Sequence, residues 1–572
     1  MNVEINIKQL IYSKGCNTHM NWESIILGFI GGLGLFMFGM EFMGEGLQKA
    51  AGSKMKNILG VLTKNRLLSV LVGALVTALI QSSSATTVMV VGFVNVGLIN
   101  LTQAAGIIMG ANIGTTITSW IVAMGEWTKF LSPEVLAPIF IALGVLVMST
   151  NKKKLNLKAA GESMFGFGVL FQGLEMMSGA AKPLSELEAL RNVFLVLGNN
   201  AILGIIAGTV VTAILQSSSA SVGILQALAI AGLVPWGSAV YIILGQNIGT
   251  CVTAILSSIG ANLNAKRAAA IHFLFNVIGT IIFAIIVTIV FAIYGAPLRD
   301  RLITVTEIST VHTIFNVVST VLLFPFANVL VYLAEHIIRG KSKKSSDVTK
   351  LDDRVLGTPS IALGTTIKQV IKMGEIAENN VKTSISALLN KDYGKINDVF
   401  ETEKIINEYQ EEINAFLIKL SNTNLAEKDQ LIVTELFHMV SDIERVGDHA
   451  ENIGELAQNL QENNLNFSEG AAKELEEIST TSLRCFSEAL KAYQDQDKEL
   501  AEKTLPLEEE VDKLQAKLRS KHLHRLRHEQ CNPYAGVIFL DMISNLERIS
   551  DHAANILSLL LHEGQILATD EN

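Results

Sequence analysis

The chain has 572 residues, with 45 Lys+Arg against 54 Asp+Glu for a formal net charge of −9, and 49% of its residues are hydrophobic at a mean hydropathy of +0.39. So apolar an average is at odds with a wholly soluble chain of this length, and the acidic balance points to no nucleic-acid partner. The average conceals two unlike parts: residues 341–572 hold 26 of the bases and 41 of the acids, net −15, while residues 1–340 hold 19 and 13, net +6.

In chain order, residues 1–24 are largely polar, lack the apolar core of a cleavable signal peptide, and offer Met20 as an alternative start. Apolar segments follow at about 25–48, 67–99, 104–124, 135–149, 163–181, 201–234, 238–260, 268–294 and 312–338. Because ~20 helical residues cross the hydrocarbon core, most are expected spans. The segments at 67–99 and 201–234 are too long for one span and too short for two. Each contains the same letters, Gln81-Ser82-Ser83-Ser84-Ala85 and Gln216-Ser217-Ser218-Ser219-Ala220. Breaking each segment there gives two half-helices, a re-entrant hairpin.

The repeat extends beyond these tetrads. Val76-Thr77 recurs as Val211-Thr212, and Gly110-Ala-Asn112-Ile-Gly114-Thr115 as Gly245-Gln-Asn247-Ile-Gly249-Thr250, always 135 positions on, while Gly39-Met-Glu41 recurs as Gly173-Leu-Glu175 at 134. Broken helices survive in a membrane only where protein or a water-filled cavity surrounds them, so the tetrads are expected to face inward. Half-helix N-termini suit an anion, freed carbonyls and hydroxyls suit a sodium ion, and paired interruptions in a duplicated membrane domain point to a transporter's binding site. Serine-rich patches also pack or bond back to their own helix, but two copies in matching surroundings favour function. Glu41 and Glu175 are either functional intramembrane acids or helix-end residues paired with Lys or water.

Basic residues set the expected orientation. Lys49, Lys54, Lys56, Lys64 and Arg66, then Lys152 to Lys154 with Lys158, then Arg339 to Lys344 mark cytoplasmic loops and place the C-terminal part in the cytoplasm. Cys16, Cys251, Cys485 and Cys531 have neither metal nor disulfide spacing and fit a reducing interior.

The two QSSSA copies with GANIGT and GQNIGT, together with His272-Phe-Leu-Phe-Asn276 and His312-Thr-Ile-Phe-Asn316, resemble the sodium-dependent phosphate cotransporter family, type II with its bacterial members. The resemblance covers about 25–340. It implies inverted repeats and sodium-coupled phosphate movement, with Gln81, Ser82, Ser83, Ser84, Gln216, Ser217, Ser218 and Ser219 binding phosphate and sodium. It further implies that Asn112, Thr115, Asn247 and Thr250 complete the cation sites. His272, His312, Asn276 and Asn316 are expected as hydrogen-bond partners between helices rather than ligands. No Lys or Arg adjoins either tetrad, so co-bound cations would neutralise the anion and couple the two fluxes.

Residues 341–358 read as a polar linker. Beyond it six helices are expected, at about 360–390, 394–422, 425–460, 468–494, 497–527 and 533–563. Asp442-Ile-Glu444-Arg445-Val-Gly-Asp448-His449 recurs as Asn545-Leu-Glu547-Arg548-Ile-Ser-Asp551-His552, 103 positions on. Six helices and one repeat make two three-helix bundles. This half resembles the PhoU family of phosphate-regulation proteins. Glu444 with Asp448, Glu547 with Asp551, and Glu508 with Asp512 are spaced i, i+4 on one helix face. The resemblance implies that these six carboxylates hold metal ions, although Glu403 and Asn407 stand where the first repeat would need two acids. Solvated acids paired with Arg445 and Arg548 are the alternative.

The expected fold is all-α: an N-terminal extension (1–24), a polytopic membrane domain (25–340, repeats about 25–150 and 160–340) with re-entrant hairpins, a linker (341–358) and a PhoU-like helical domain (359–565). The expected function is sodium-coupled phosphate transport across the cytoplasmic membrane with a cytoplasmic regulatory domain. A membrane-anchored phosphate-signalling module and a facilitative anion channel are the alternatives. An enzyme is not expected, since neither a nucleophile–base pair nor a G-x-x-x-x-G-K loop is present. The partners are phosphate, sodium and the bilayer, and the reading admits a homodimer or a regulatory protein partner.

Overall fold

A computed structural model describes residues 21–61, 65–127, 133–150, 155–340 and 351–562. Outside them lie the extension to residue 20 with Cys16, Lys64, the lysines at 152–154, Lys341 to Lys344 and residues 563–565, and the side chains of Lys54 and Lys56 are likewise not described. The chain forms two units, Met1–Lys343 with Asp352–Ile361, and Lys344–Leu351 with Ala362–Asn572. Among the described residues every regular element is helical.

The first unit begins with α1 (Trp22–Val61), α2 (Arg66–Ile80), α3 (Ser83–Asn95), α4 (Leu101–Ala123) and α5 (Pro133–Thr150). It continues with α6 (Leu155–Ala181), α7 (Glu188–Asn199), α8 (Ala201–Leu215), α9 (Ser218–Ile230), α10 (Trp236–Gly249), α11 (Cys251–Ser257), α12 (Leu263–Tyr294), α13 (Ala296–Arg299), α14 (Val305–Leu323) and α15 (Ala327–Ile337). Five stretches are long and apolar enough to cross a membrane: Trp22–Ala51, Leu101–Glu126, Trp236–Ser257, Leu263–Tyr294 and Val305–Ile337. A sixth candidate is the pair α7 and α8, bent by 111°. The protein is therefore a multi-pass membrane protein. Two expected spans come out differently. The segment 135–149 lies on a short helix, and 163–181 lies on α6, which carries Glu162, Gln172 and Glu175 and does not reach the apolarity of a lone span.

Small residues explain how α6 is nevertheless held. Gly32, Gly39 and Gly46 recur every seven residues along α1, and a Cβ at each would meet backbone of α6 at Gly173, Gly166 and Ala159 respectively. Rising numbers on one helix meet falling numbers on the other, so the two run antiparallel in close contact. Inside a bilayer no hydrophobic force drives helices together, and such close approach supplies the dispersion contact that does. Phe36, Leu170, Leu174 and Met177 then fill the buried cluster beside this seam. The hairpin helices use the same device twice: Gly73 and Gly110 close α2 onto α4, and their equivalents Gly208 and Gly245 close α8 onto α10.

The expected linker is only partly one. Asp353–Gly357 forms a 3-10 turn belonging to the first unit. Asp352 accepts from Asn95 Nδ2 at 2.8 Å at the end of α3, and Arg354 Nε donates to the Ser257 carbonyl at 2.7 Å at the end of α11.

The second unit contains α16 (Pro359–Leu389, its first residues counted with the other unit), α17 (Ile396–Ser421), α18 (Glu427–Glu462), α19 (Glu469–Asp495), α20 (Lys498–Thr504), α21 (Pro506–Arg527) and α22 (Pro533–His562). The expected fifth helix is broken in two, because Pro506 has no N–H to continue α20 and instead opens α21. Ile443, Val446, Ala450 and Ile453 on α18 are fully buried, as are their counterparts Leu546, Ile549, Ala553 and Ile556 on α22, so both copies of the repeat turn the same face to the core.

A Cβ at Gly39 has no free space, whereas one at Gly34 meets nothing within 4 Å. Gly39→Ala is expected to cost about 1–3 kcal/mol through overpacking and to lower the unfolding temperature of the detergent-solubilised protein, while Gly34→Ala leaves it unchanged or slightly raised. Equal melting of the two variants would contradict the seam.

Candidate functional site

Each hairpin breaks at its glutamine. α2 ends on Gln81 in the left-handed conformation (φ 59°), and α8 ends on Gln216 likewise (φ 55°). A non-glycine residue there is uncommon and signals a conformation imposed by its surroundings. The next residue caps the following helix: Ser82 Oγ accepts from Ala85 N and Ser217 Oγ from Ala220 N, both at 3.1 Å. Within each hairpin the two arms are pinned by equivalent hydroxyl pairs, Thr77 with Thr86 at 3.0 Å and Thr212 with Ser221 at 2.7 Å.

The two tips meet. Ser83 Oγ lies 3.2 Å from Ser218 Oγ, its own counterpart in the repeat, and Ser84 Oγ donates to the Gln216 carbonyl at 3.4 Å. A second link crosses through α4: Ser219 Oγ donates to Thr118 Oγ1 at 3.5 Å, Thr118 donates to Gln81 Oε1 at 2.9 Å, and Gln81 Nε2 donates to the Ala78 carbonyl. Ser83, Ser218, Ser219, Gln81 and Thr118 are all buried. Sequence reasoning missed Thr118, although Thr115-Thr116-Ile-Thr118-Ser119 is an unusual density of hydroxyls for an apolar helix. Ser119 extends the polar seam, donating to Ser309 Oγ on α14 at 2.7 Å, while Gln226 of α9 donates to the Ser119 carbonyl at 3.0 Å.

The second motif is arranged differently. Asn112 Nδ2 and Thr115 Oγ1 donate to the Ile108 and Ala111 carbonyls of their own helix at 2.9 and 3.0 Å. Asn247 and Thr250 repeat this on α10, with the Ile243 and Gln246 carbonyls, both at 2.9 Å. One amide N–H of each asparagine and the hydroxyl hydrogen of each threonine are thereby engaged, leaving side-chain oxygen lone pairs, which is the chemistry a cation needs. The histidines depart from expectation. Among the described residues His272 finds no partner for either ring nitrogen and His312 none for Nδ1, and Asn276 and Asn316 donate chiefly to the His272 and His312 carbonyls of their own helices. Lys49 of α1 pairs with Glu162 at 2.9 Å and Glu45 at 3.8 Å, so it is these acids, not Glu41 or Glu175, that take this lysine.

In the second unit the carboxylates divide unequally. Glu508, Asp512 and Asp551 place three ligand oxygens within 4.8 Å of one another. Burial raises the Glu508 and Asp551 carboxyls above their ordinary values, with Asp512 adding repulsion to both, and Glu547 is raised by burial and by Asp551. Three convergent carboxylates fit a hard divalent cation. Glu444 and Asp448 are also raised by burial, but there Asn407 donates to Glu403 Oε1 and neutral amide replaces an acid. Among the described residues only the second set forms a close triad. The repeats are joined reciprocally: His449 Nδ1 contacts Asn545 Oδ1 at 2.9 Å and His552 Nδ1 contacts Asp442 Oδ1 at 2.8 Å, with the two rings stacked 5.6 Å apart.

Broken helices meeting tip to tip within a multi-pass helical unit define a membrane transport protein, not an enzyme. The chain belongs to the Na+/Pi-cotransporter family, which it matches over residues 35–179 and 184–323, and it carries PhoU domains over 370–457 and 475–560. It is 24% identical over 545 residues to the putative inorganic phosphate export protein YjbB of Salmonella typhimurium, covering 94% of this chain and 98% of that one. It is 35% identical over 142 residues to sodium-dependent phosphate transport protein 2A of Rattus norvegicus, 21% of this chain and 22% of that one. Among solved structures, PhoU from Pseudomonas aeruginosa aligns at 23% identity and a TM-score of 0.34, over 36% of this chain and 97% of its own.

The charge crowding makes a test. A carboxyl raised on folding stabilises the fold below its ordinary value, near 4.5 for Glu508, and that stability is lost as pH climbs through the raised value. The helical domain is therefore expected to melt higher at pH 5 than at pH 7. Relieving the i, i+4 repulsion by Glu508→Gln is worth about 0.3 kcal/mol, or about 1 °C at pH 7. Millimolar Mn2+ should stabilise the parent protein at pH 7 and leave Asp512→Asn with Asp551→Asn unmoved. A domain indifferent to both pH and cation would remove the metal reading.

Proposed function

We propose that this protein moves inorganic phosphate across the cytoplasmic membrane together with sodium ions, at a site made by the two hairpin tips, and that its PhoU-like domain lies in the cytoplasm and regulates the movement. The observation that carries the reading is the contact of Ser83 with Ser218. It brings two helix N-termini together, and once Ser82 and Ser217 have taken the Ala85 and Ala220 amides, the first-turn amides of Ser83, Ser84, Ser218 and Ser219 have no partner within their own helices. Amides, hydroxyls and the positive ends of two helix dipoles form an oxyanion cradle without a fixed charge.

An arriving phosphate replaces the 3.2 Å neutral bond between Ser83 and Ser218 with charge-assisted ones, which are roughly twice as strong. Gln81 and Gln216 orient the tips, and Ser82 and Ser217 hold the amides in place. Asn112, Thr115, Asn247 and Thr250 offer sodium the lone pairs of their side-chain oxygens. Since none of these residues is basic, the anion is neutralised by the cations that accompany it, and this charge balance couples the fluxes. Thr118 is a positioning residue that ties Gln81 to Ser219.

The repeats are read as inverted. Gly32 meets Gly173 while Gly39 meets Gly166, the reciprocal exchange expected of a two-fold relation, and the antiparallel course of α1 and α6 lays that axis in the plane of the membrane. Equivalent halves offer the site to either side in turn, so one geometry serves uptake or export according to the gradients. The name of the Salmonella relative favours export as the physiological direction.

Proteoliposomes test the reading. Phosphate flux is expected to follow an imposed sodium gradient, in either direction. Ser83→Ala with Ser218→Ala removes two charge-assisted bonds and should weaken phosphate affinity by at least about tenfold, and Thr118→Val should weaken it less. Flux that ignores sodium would favour a facilitative anion channel, and unchanged flux in the double variant would move the site elsewhere.

A further inference from the structure

The second unit has a polar cavity that neither the carboxylate triad nor the transport site uses. It has a volume of about 250 Å³ and lies between the start of α19, the end of α21 and the start of α22. Arg525 and His522 of α21 line it, Phe467 and Phe539 supply aromatic wall, and Cys531 and Asn532 lie at its loop side.

Four observations make it a site for an anion. His522 is only 3% exposed, and its ring stacks on Phe539 at 5.0 Å while bordering the cavity. Among the described residues Arg525 Nε is buried without a hydrogen-bond partner, while Nη2 lies 2.7 Å from Glu474 Oε2 as an ion pair. A buried charged donor such as Arg525 Nε left in this state lowers stability, and a ligand that accepted from it would relieve that loss. Glu474 is shared between Arg525 and Lys521, the latter at 3.2 Å, so one positive charge is left over in a domain that is otherwise strongly acidic. Finally, α19 and α22 both open here, capped by Ser468 and Asn532, with the positive ends of their dipoles toward the cavity.

Size and wall narrow the ligand class. At ~30 Å³ per water the cavity has room for about eight waters, more than a bare oxyanion fills. The guanidinium of Arg525 stands 5.4 Å above the Phe539 ring, and an apolar body would extend this stack. We propose that this cavity binds a small organic anion, a phosphate monoester or carboxylate on a flat ring, with Arg525 and His522 on the anionic group and Phe467 and Phe539 against the ring. Such a site gives the regulatory domain an input separate from the transported ion.

Cys531 provides a local readout. Cys251 and Cys485 are buried whereas Cys531 is partly exposed, so in full-length protein carrying Cys16→Ser the thiol that N-ethylmaleimide reaches is Cys531. Phenyl phosphate or benzoate at millimolar concentration is expected to slow its labelling at least about tenfold, with inorganic phosphate and phenol each much weaker. Protection by phenyl phosphate more than by benzoate assigns the ester, and the reverse assigns the carboxylate. Arg525→Gln should abolish protection, and His522→Gln should weaken it. Each variant is compared only if its unprotected labelling rate and melting temperature match those of the parent, and Arg525→Lys serves if Arg525→Gln does not fold. No protection, protection equal with inorganic phosphate alone, or protection that survives loss of the guanidinium would each overturn the proposal. None of these outcomes depends on the hairpin tips, so failure here leaves the transport reading standing.

Discussion

The membrane unit depends on one constraint: the end of a broken helix must find partners for its backbone before it can exist in a low-dielectric interior. An isolated hairpin tip cannot do so, because four N–H groups at the start of each second arm lack intrahelical acceptors. Here each tip meets the other copy of itself. Ser83 against Ser218 is a contact between equivalent residues, and it can form only near an axis that exchanges the two halves. The same exchange is written in glycine at the α1–α6 seam and in histidine between the two PhoU repeats, where His449 reaches Asn545 and His552 reaches Asp442. Duplication thus serves both units in the same way: a polar surface left uncovered in one copy is covered by its twin, while the first-turn amides of the tips stay free for a ligand.

On the proposed reading, the choice of residues at the tips follows from the need to release what is bound. A lysine or arginine would hold an oxyanion strongly, but it would have to be desolvated again in every empty state. Hydroxyls and amides can instead satisfy one another. The relay from Ser219 through Thr118 and Gln81 to the Ala78 carbonyl keeps the cluster nearly fully bonded. Asn112, Thr115, Asn247 and Thr250 take the complementary solution, spending donors on their own helix and keeping acceptors free. The tips thus gather donors while these four residues present oxygens, the division that the proposed movement of an anion with cations would use.

How much of this was legible in the letters differs by element. The hairpins were, because a polar tetrad inside an apolar run must be sheltered by protein to exist in a bilayer, and its recurrence in matching surroundings is too specific for chance. The gross architecture of the second unit was also legible from helical period and repeat. Helix α7 was not: Asn200 caps α8 through Leu203 N, and the chain before it turns by 111° into a helix whose amphipathic pattern does not read as a span. Thr118 escaped because its role depends on which face of α4 meets the tips, and that is set by packing at Gly110 and Gly114 rather than by any local signal. The turn at Asp353–Gly357 looked like linker because its polar residues are satisfied by distant partners, Asn95 and the Ser257 carbonyl, that no local window contains.

The two PhoU repeats show what symmetry leaves free to change. Their apolar faces are matched position for position, since altering one would open a cavity against the other. Their acidic faces are not. In the first repeat Asn407 relieves Glu403, while in the second Glu508, Asp512 and Asp551 remain crowded, so that half carries electrostatic repulsion its twin has reduced. Crowded carboxylates persist at a cost in stability, and a cation would remove that cost by binding the folded arrangement better than the unfolded chain. The asymmetry therefore falls where a duplicated scaffold can specialise without disturbing its core, on the acidic faces rather than the apolar ones.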